Sequence, residues 1–205
     1  MTIIAAGSAG DAPCLRMLGP VRLEGAKGPP PGRARLQLEE MCAWLLEHPR
    51  CTPRQLAEGL ALAEGTRRSN LSRLRAWLGD DADGRPYLPR AYSGLIALDG
   101  VTSDWGRFRA LLGPGAAHTP TNALADALSL VRGPVLCDVP PGHWPWADEL
   151  RADATRLIEQ TALELADRTS PSEDDTVTRW SLHQGLLADP GSEEIRSRWP
   201  LLRNR

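Results

Sequence analysis

The sequence predicts a mainly α protein with small β elements: a winged helix-turn-helix with an N-terminal β-hairpin, followed by a stack of α-helical hairpins. Three observations carry this expectation. Thr52 to Gly79 reads as two short helices around a tight break, and the second is rich in arginine. Short apolar runs punctuated by Gly and Pro stand before and after the helices of the first half. The second half is a series of amphipathic segments separated by polar turns.

Taken in chain order, residues 1–13 lack a basic leader and a long apolar core, so they read as an unstructured lead-in. Cys14–Leu18 and Val21–Leu23 flank Gly19-Pro20 and predict a small hairpin. KGPPPG at Lys27–Gly32 is a loop. Arg33–His48 is a helix, with Leu38, Met41, Cys42, Leu45 and Leu46 in one stripe and Pro49 as its stop. Thr52-Pro53-Arg54-Gln55 starts the next helix, with Thr52 as cap, Pro53 at the first position and Gln55 completing a capping box. The arginine-rich helix buries Leu71, Leu74 and Leu78, and Gly79 ends it. Tyr87–Leu88 and Leu95–Leu98 around Pro89–Gly94 predict a second hairpin beside it, the wing.

Beyond the wing, Asp104–Leu112, Asn122–Val131, Trp146–Arg168, a helix through Val177 and Leu187, and Ser192–Leu202 are expected helices. Trp146, Leu150, Ala154, Leu157, Ile158, Thr161 and Leu165 share a face of the longest. Paired helices with polar turns fit a helical-hairpin stack, although the repeat period is not clean. Arg132-Gly133-Pro134 and Gly142–Trp146 form either a partner-binding corner or a loop clamped by indole packing, the second being preferred.

The helical period assigns the arginine-rich helix, residues 66–78, its faces. At about 100° per residue, Leu71, Leu74 and Leu78 occupy one narrow arc. Thr66, Ser69, Ser72, Arg73 and Ala76 lie opposite. Arg68 and Arg75 flank one side, Asn70 and Trp77 the other, and Arg67 falls on the buried arc, so its stem is expected to bend outward. Small outward residues let a helix approach base edges in a major groove, and Arg73 is placed for a bidentate contact to guanine. Arg68 and Arg75 are expected on phosphates, Ser69 and Ser72 on bases or phosphates and Asn70 on bases, with Thr66 and Arg67 also in the DNA-contacting set. Arg90, Tyr92 and Ser93 lie near the wing tip, where they would touch the adjacent groove or backbone.

Composition bounds the alternatives. The chain has 205 residues and a net charge of -2. Residues 1–100 hold thirteen Arg or Lys against eleven Asp or Glu; residues 101–205 hold eleven against fifteen. A weakly basic half joined to an acidic half suits one polyanion-contacting module and one that is not. Cys14, Cys42, Cys51 and Cys137 form no CxxC pair and the four His are scattered, so no metal site is expected. This cysteine usage is compatible with a cytoplasmic location. No apolar run approaches the roughly 20 residues of a membrane span.

These motifs together resemble a known family. GPVRLEG, RLQLEEMCAWLLEHP, TPRQLAEGL and NLSRLRAWLG are similar to the OmpR-like winged helix of SARP-type bacterial regulators. VTSDWGRFRALL and the segment from ALSLVRGPVL through HWPWADELR to ELADR resemble the start of the bacterial transcriptional activator domain (BTAD), a tetratricopeptide-like (TPR-like) helical stack. The resemblance runs from about Cys14 to about Arg198, and the relatives it points to are actinobacterial. It implies an OmpR-like DNA-binding domain over 14–99 and a helical activator domain over 101–205 that ends before the family's usual number of pairs.

The expected function is therefore a DNA-binding transcriptional regulator, activating by resemblance, with double-stranded DNA and RNA polymerase as partners. An unfinished stack would leave an apolar face for a homodimer. The alternative is a protein–protein interaction adaptor on the same scaffold without DNA binding. No catalytic residues, metal or cofactor are expected. Asp80, Asp81 and Asp83 lack the rest of a calcium loop, His143 has no acid or nucleophile at a meaningful spacing, and no phosphate-cradling glycine loop occurs.

Overall fold

A computed structural model describes residues 12–90, 94–169 and 175–199. It is mainly helical, with one small three-stranded sheet. Two compact units divide it. Of the described residues, the first holds those up to Leu15 and from Arg22 to Ser103; the second holds Arg16–Val21 and those from Asp104 onward.

Strands β1 (Cys14–Arg16), β2 (Arg22–Glu24) and β3 (Thr102–Ser103) form a sheet of order β2-β1-β3. The expected neighbours β1 and β2 are adjacent. The partner on the other edge of β1 is new: β3 runs parallel to it, with Cys14 opposite Thr102 and Leu15 opposite Ser103. Parallel strands are joined by a long crossover, so no local turn signal announces them.

Helix α1 (Arg35–Glu47) buries Leu38, Met41, Cys42 and Leu45 as its spacing requires, and Trp44 as well. Leu46 is only half-buried. Glu39 is also buried, because its carboxylate accepts from the Leu23 amide at 3.3 Å and from Arg35 Nε at 2.9 Å. The capping box of α2 (Pro53–Gly59) is complete: Gln55 N donates to Thr52 Oγ1 at 3.2 Å, and Thr52 N donates to Gln55 Oε1 at 2.8 Å. Leu56 is its buried anchor. After a break at Leu60–Ala63, α3 (Glu64–Leu78) begins.

The last carbonyls of α3 have partners distant in sequence. Lys27 N donates to Leu78 O at 3.0 Å and Gly28 N to Trp77 O at 2.9 Å. Gly79, at φ 72°, turns the chain away. The helix end, its glycine and the KGPPPG loop thus form one packed corner.

The segment expected to be a wing is described except for residues 91–93. Among its described residues no strand forms; Asp80 with Pro86 and Cys51 with Ile96 make isolated antiparallel bridges. Tyr87 N donates to Gly79 O at 3.1 Å, Asp99 N to Tyr87 O at 2.9 Å, and Ile96 N to Cys51 O at 2.7 Å. Pro86 and Pro89 lack the N–H a ladder needs, which shortens any pairing on that side.

The described helices of the second unit are α4 (Asp104–Leu112), α5 (Thr121–Leu128), α6 (Asp148–Thr169), α7 (Thr176–Ala188) and α8 (Glu193–Arg198). Short 3-10 turns at Ala116–His118 and Pro145–Ala147 precede α5 and α6. The second turn takes up the start expected for the long helix, which begins at Asp148 instead of Trp146. Helix α6 packs on α5 and along α7. Gly185 permits the approach of α7 to its neighbours: an added Cβ would lie 2.4 Å from Ile195 Cδ1 and 3.0 Å from Ala162 Cβ. Ser192 caps α8 by accepting from Ile195 N at 3.2 Å. In the loop before α6, Trp144 is buried with a left-handed backbone and stacks on Trp146.

Asp104 organises this unit. It is fully buried and accepts from Met17 N at 2.6 Å, Leu18 N at 3.1 Å and Trp105 N at 2.9 Å, with Arg132 Nη2 at 3.4 Å. Burial pushes its carboxyl above the usual range despite these donors. No helix among the described residues is long and apolar enough to cross a membrane.

Candidate nucleic-acid interface

Helix α3 presents two unlike faces. Leu71, Leu74, Trp77 and Leu78 are buried. Thr66, Ser69, Ser72, Arg73 and Ala76 are exposed. The arc opposite the leucines is therefore a strip of short side chains with one arginine in it. Arg73 makes no hydrogen bond or ion pair among the described residues. A guanidinium in that state keeps all five donors for an outside acceptor.

The other expected contacts divide. Arg68 is exposed and pairs with Glu64 one turn back. An exposed pair of this kind is weak and exchanges readily for another anion. Arg90 is exposed. Tyr92 and Ser93 lie outside the described residues.

Three residues depart from their expected positions. Asn70 is not available to a base edge: it is 2 % exposed, and its Nδ2 has no partner among the described residues. It sits on the flank of the helix that Trp77 also occupies, and packing has extended the buried arc to that side. Arg75 is half-buried and its Nε donates to Leu88 O at 2.7 Å. Nη2 reaches Pro89 O at 3.4 Å. These bonds tie the loop to the helix. Arg67 does not bend outward. Its side chain stays 12 % exposed, with Glu64 Oε1 at 3.9 Å.

One signal for the Arg75 contact was present in the sequence. Arg75 and Arg68 share a flank of α3, and a segment that returns after Gly79 must run along one flank or the other. Only the fold decides which. Among the described residues no group of three or more His, Cys, Asp or Glu could hold a metal ion.

In comparisons with family models and with curated proteins, nothing matches this chain.

Proposed function

We propose that this protein is a DNA-binding regulator of transcription, most simply an activator, whose α3 lies in a major groove. The observation that carries this reading is the exposed strip Thr66, Ser69, Ser72 and Ala76 with Arg73, unpaired among the described residues, in its midst, on the side of α3 opposite its buried leucines. Short side chains permit close approach, and Arg73 supplies a bidentate donor for guanine. Arg68 and Arg90 add phosphate contacts and salt dependence. The reading takes the first unit as an OmpR-like winged helix of the SARP type. It takes the second as a TPR-like helical stack that contacts RNA polymerase or a second copy of the chain, in the cytoplasm of a bacterium. Sedimentation at tens of micromolar distinguishes a dimer from a monomer.

Binding to fragmented genomic DNA across a salt gradient tests the central claim. Arg73→Ala is expected to weaken it by about 1–3 kcal/mol. An unchanged profile would remove the reading.

A second reading, an interaction adaptor without DNA binding, is favoured by one observation. Asn70 and Arg75, two residues expected to touch DNA, are turned toward protein. The same salt gradient separates the two readings, because an adaptor would show no salt-dependent retention.

A further inference from the structure

Beside the exposed strip of α3, the first unit contains a cleft of about 190 Å³ with a cationic and an apolar side. Arg67, Arg68 and Arg75 line it from α3 and Arg90 from the segment that follows Pro89. Leu71 and Ile96 supply buried apolar surface, and Pro53 and Pro89 complete the lining. The walls are fixed by backbone acceptors. Ile96 N is held by Cys51 O at 2.7 Å, and Arg75 Nε is held by Leu88 O at the same distance.

Among the described residues, Arg67, Arg68 and Arg90 have one carboxylate between them, an imbalance of charge in this cleft. Glu64 is the carboxylate that pairs with both Arg67 and Arg68. Arg75 donates to the carbonyls of Leu88 and Pro89. Arg90 makes no ion pair among the described residues.

Arg67 makes the imbalance acute. Its side chain is only 12 % exposed, and its nearest carboxylate oxygen is 3.9 Å away. That distance is too long for a hydrogen bond. A guanidinium withdrawn from water in this way is short of acceptors, and polar groups out of water need them. An oxyanion seated in the cleft would supply them.

We propose that the cleft binds a small organic oxyanion: a phosphate monoester or carboxylate carried on an apolar body about the size of one aromatic ring. Bare inorganic phosphate would satisfy the guanidinium donors but leave the Leu71, Ile96 and proline surfaces wet. A neutral ring would cover those surfaces and leave the cations unmet. Only a ligand with both parts matches both walls. Arg68 and Arg90 also belong to the surface proposed to touch DNA, so ligand and duplex compete, and by linkage each weakens the other. That competition rests on the DNA reading; the binding of the small ligand does not.

The test is a titration of the whole chain, followed by amide NMR shifts at Leu71 and Ile96. The probes are phenyl phosphate, inorganic phosphate and phenol at constant ionic strength. Phenyl phosphate is expected to saturate with a Kd on the order of 1 mM, and inorganic phosphate to bind about tenfold more weakly. Phenol is expected to produce no saturable shift. Arg67→Gln and Arg90→Gln should each weaken phenyl phosphate at least about fivefold. The Arg90 substitution is on the surface, so its result stands even where Arg67→Gln disturbs folding. Phenyl phosphate binding no better than phenol, or binding unchanged in Arg90→Gln, overturns the proposal. Shifts produced by a DNA duplex but not by phenyl phosphate would assign the cleft to a backbone phosphate and equally overturn it. Saturation by phenyl phosphate in a chain that retains no DNA would remove the DNA reading and leave the small-ligand site standing.

Discussion

Arg73 in the first unit and Arg168 in the second are both helix arginines, and their surroundings could hardly differ more. Arg73 is exposed among small side chains and makes no hydrogen bond or ion pair with the described residues. Arg168 is enclosed by acceptors: Glu164 at 2.8 Å, Ala117 O at 2.9 Å, Ala116 O at 3.1 Å and Thr119 O. It ties the end of α6 to the 3-10 turn before α5. Arg132 and Arg198 behave alike, the first on Asp104 and Pro20 O, the second on Asp167 and Glu194. The second unit uses these three arginines as internal crosslinks. The first leaves several with donors facing solvent or a cleft. Arginine count therefore says little about polyanion binding; what matters is how many guanidinium groups the fold has left without acceptors.

This contrast is open to direct attack. The largest effect should come from the hub of the second unit. Asp104→Ala leaves the Met17, Leu18 and Trp105 amides unpaired and is expected to cost about 3–5 kcal/mol in urea unfolding. A loss below 1 kcal/mol would show that the hub is not a keystone.

Next comes the packed corner that supports α3. A Cβ at Gly28 would lie 1.8 Å from Ala76 O, a backbone atom that cannot swing aside. Gly28→Ala is expected to cost about 3 kcal/mol and to weaken DNA retention by distorting the end of the helix. Normal stability in this variant would mean that the corner is looser than its hydrogen bonds imply.

Arg168→Ala should destabilise by about 2 kcal/mol, because charge-assisted bonds to carbonyls and a carboxylate are lost. Its DNA retention, measured well below the unfolding midpoint, should match the parent. Arg73→Ala should do the reverse, with stability within about 0.5 kcal/mol of the parent and DNA retention reduced. Equal stability losses in the two variants would erase the distinction drawn between them.

The smallest effect is a pH dependence. Burial raises the Asp104 carboxyl in the folded state. The folded chain then holds a proton that the unfolded chain has released, over the interval from the ordinary aspartate pKa of about 4 up to the raised value. Its contribution to stability falls as pH rises through that interval. Asp104→Asn removes this dependence, so the difference in stability between parent and variant should shift against the parent from about pH 4 upward. A difference that moves the other way would mean that the surrounding donors outweigh the cost of burial.

Local features of the fold were legible where one segment contains both partners of an interaction. Thr52 and Gln55 lie three residues apart, and their reciprocal capping bonds follow from that spacing alone. Gly79 ends α3, and Asp104–Leu112 is a helix with the expected bounds. The leucine arc of α3 is buried and the small-residue arc is exposed because a period of 3.6 residues leaves no other arrangement.

The flanks of that helix were not legible. About 100° per residue places Asn70 and Trp77 on one side and Arg68 and Arg75 on the other, at similar distances from the buried arc. Nothing local ranks the two. The fold buries the first flank and lays Leu88 and Pro89 against the second, which removes Asn70 from solvent and ties Arg75 to carbonyl oxygens.

The chain's own order thus determined which segments are helices, where several of them begin and end, and which side of α3 faces water, since those depend on capping groups and apolar spacing within a few residues. Tertiary structure alone decided the parallel pairing of β1 with β3, the contact of Gly28 with the end of α3, and the gathering of four arginines around one cleft. Each of those joins groups far apart in sequence, and the energy that selects them comes from packing and from hydrogen-bond acceptors that exist only once the distant segments have met.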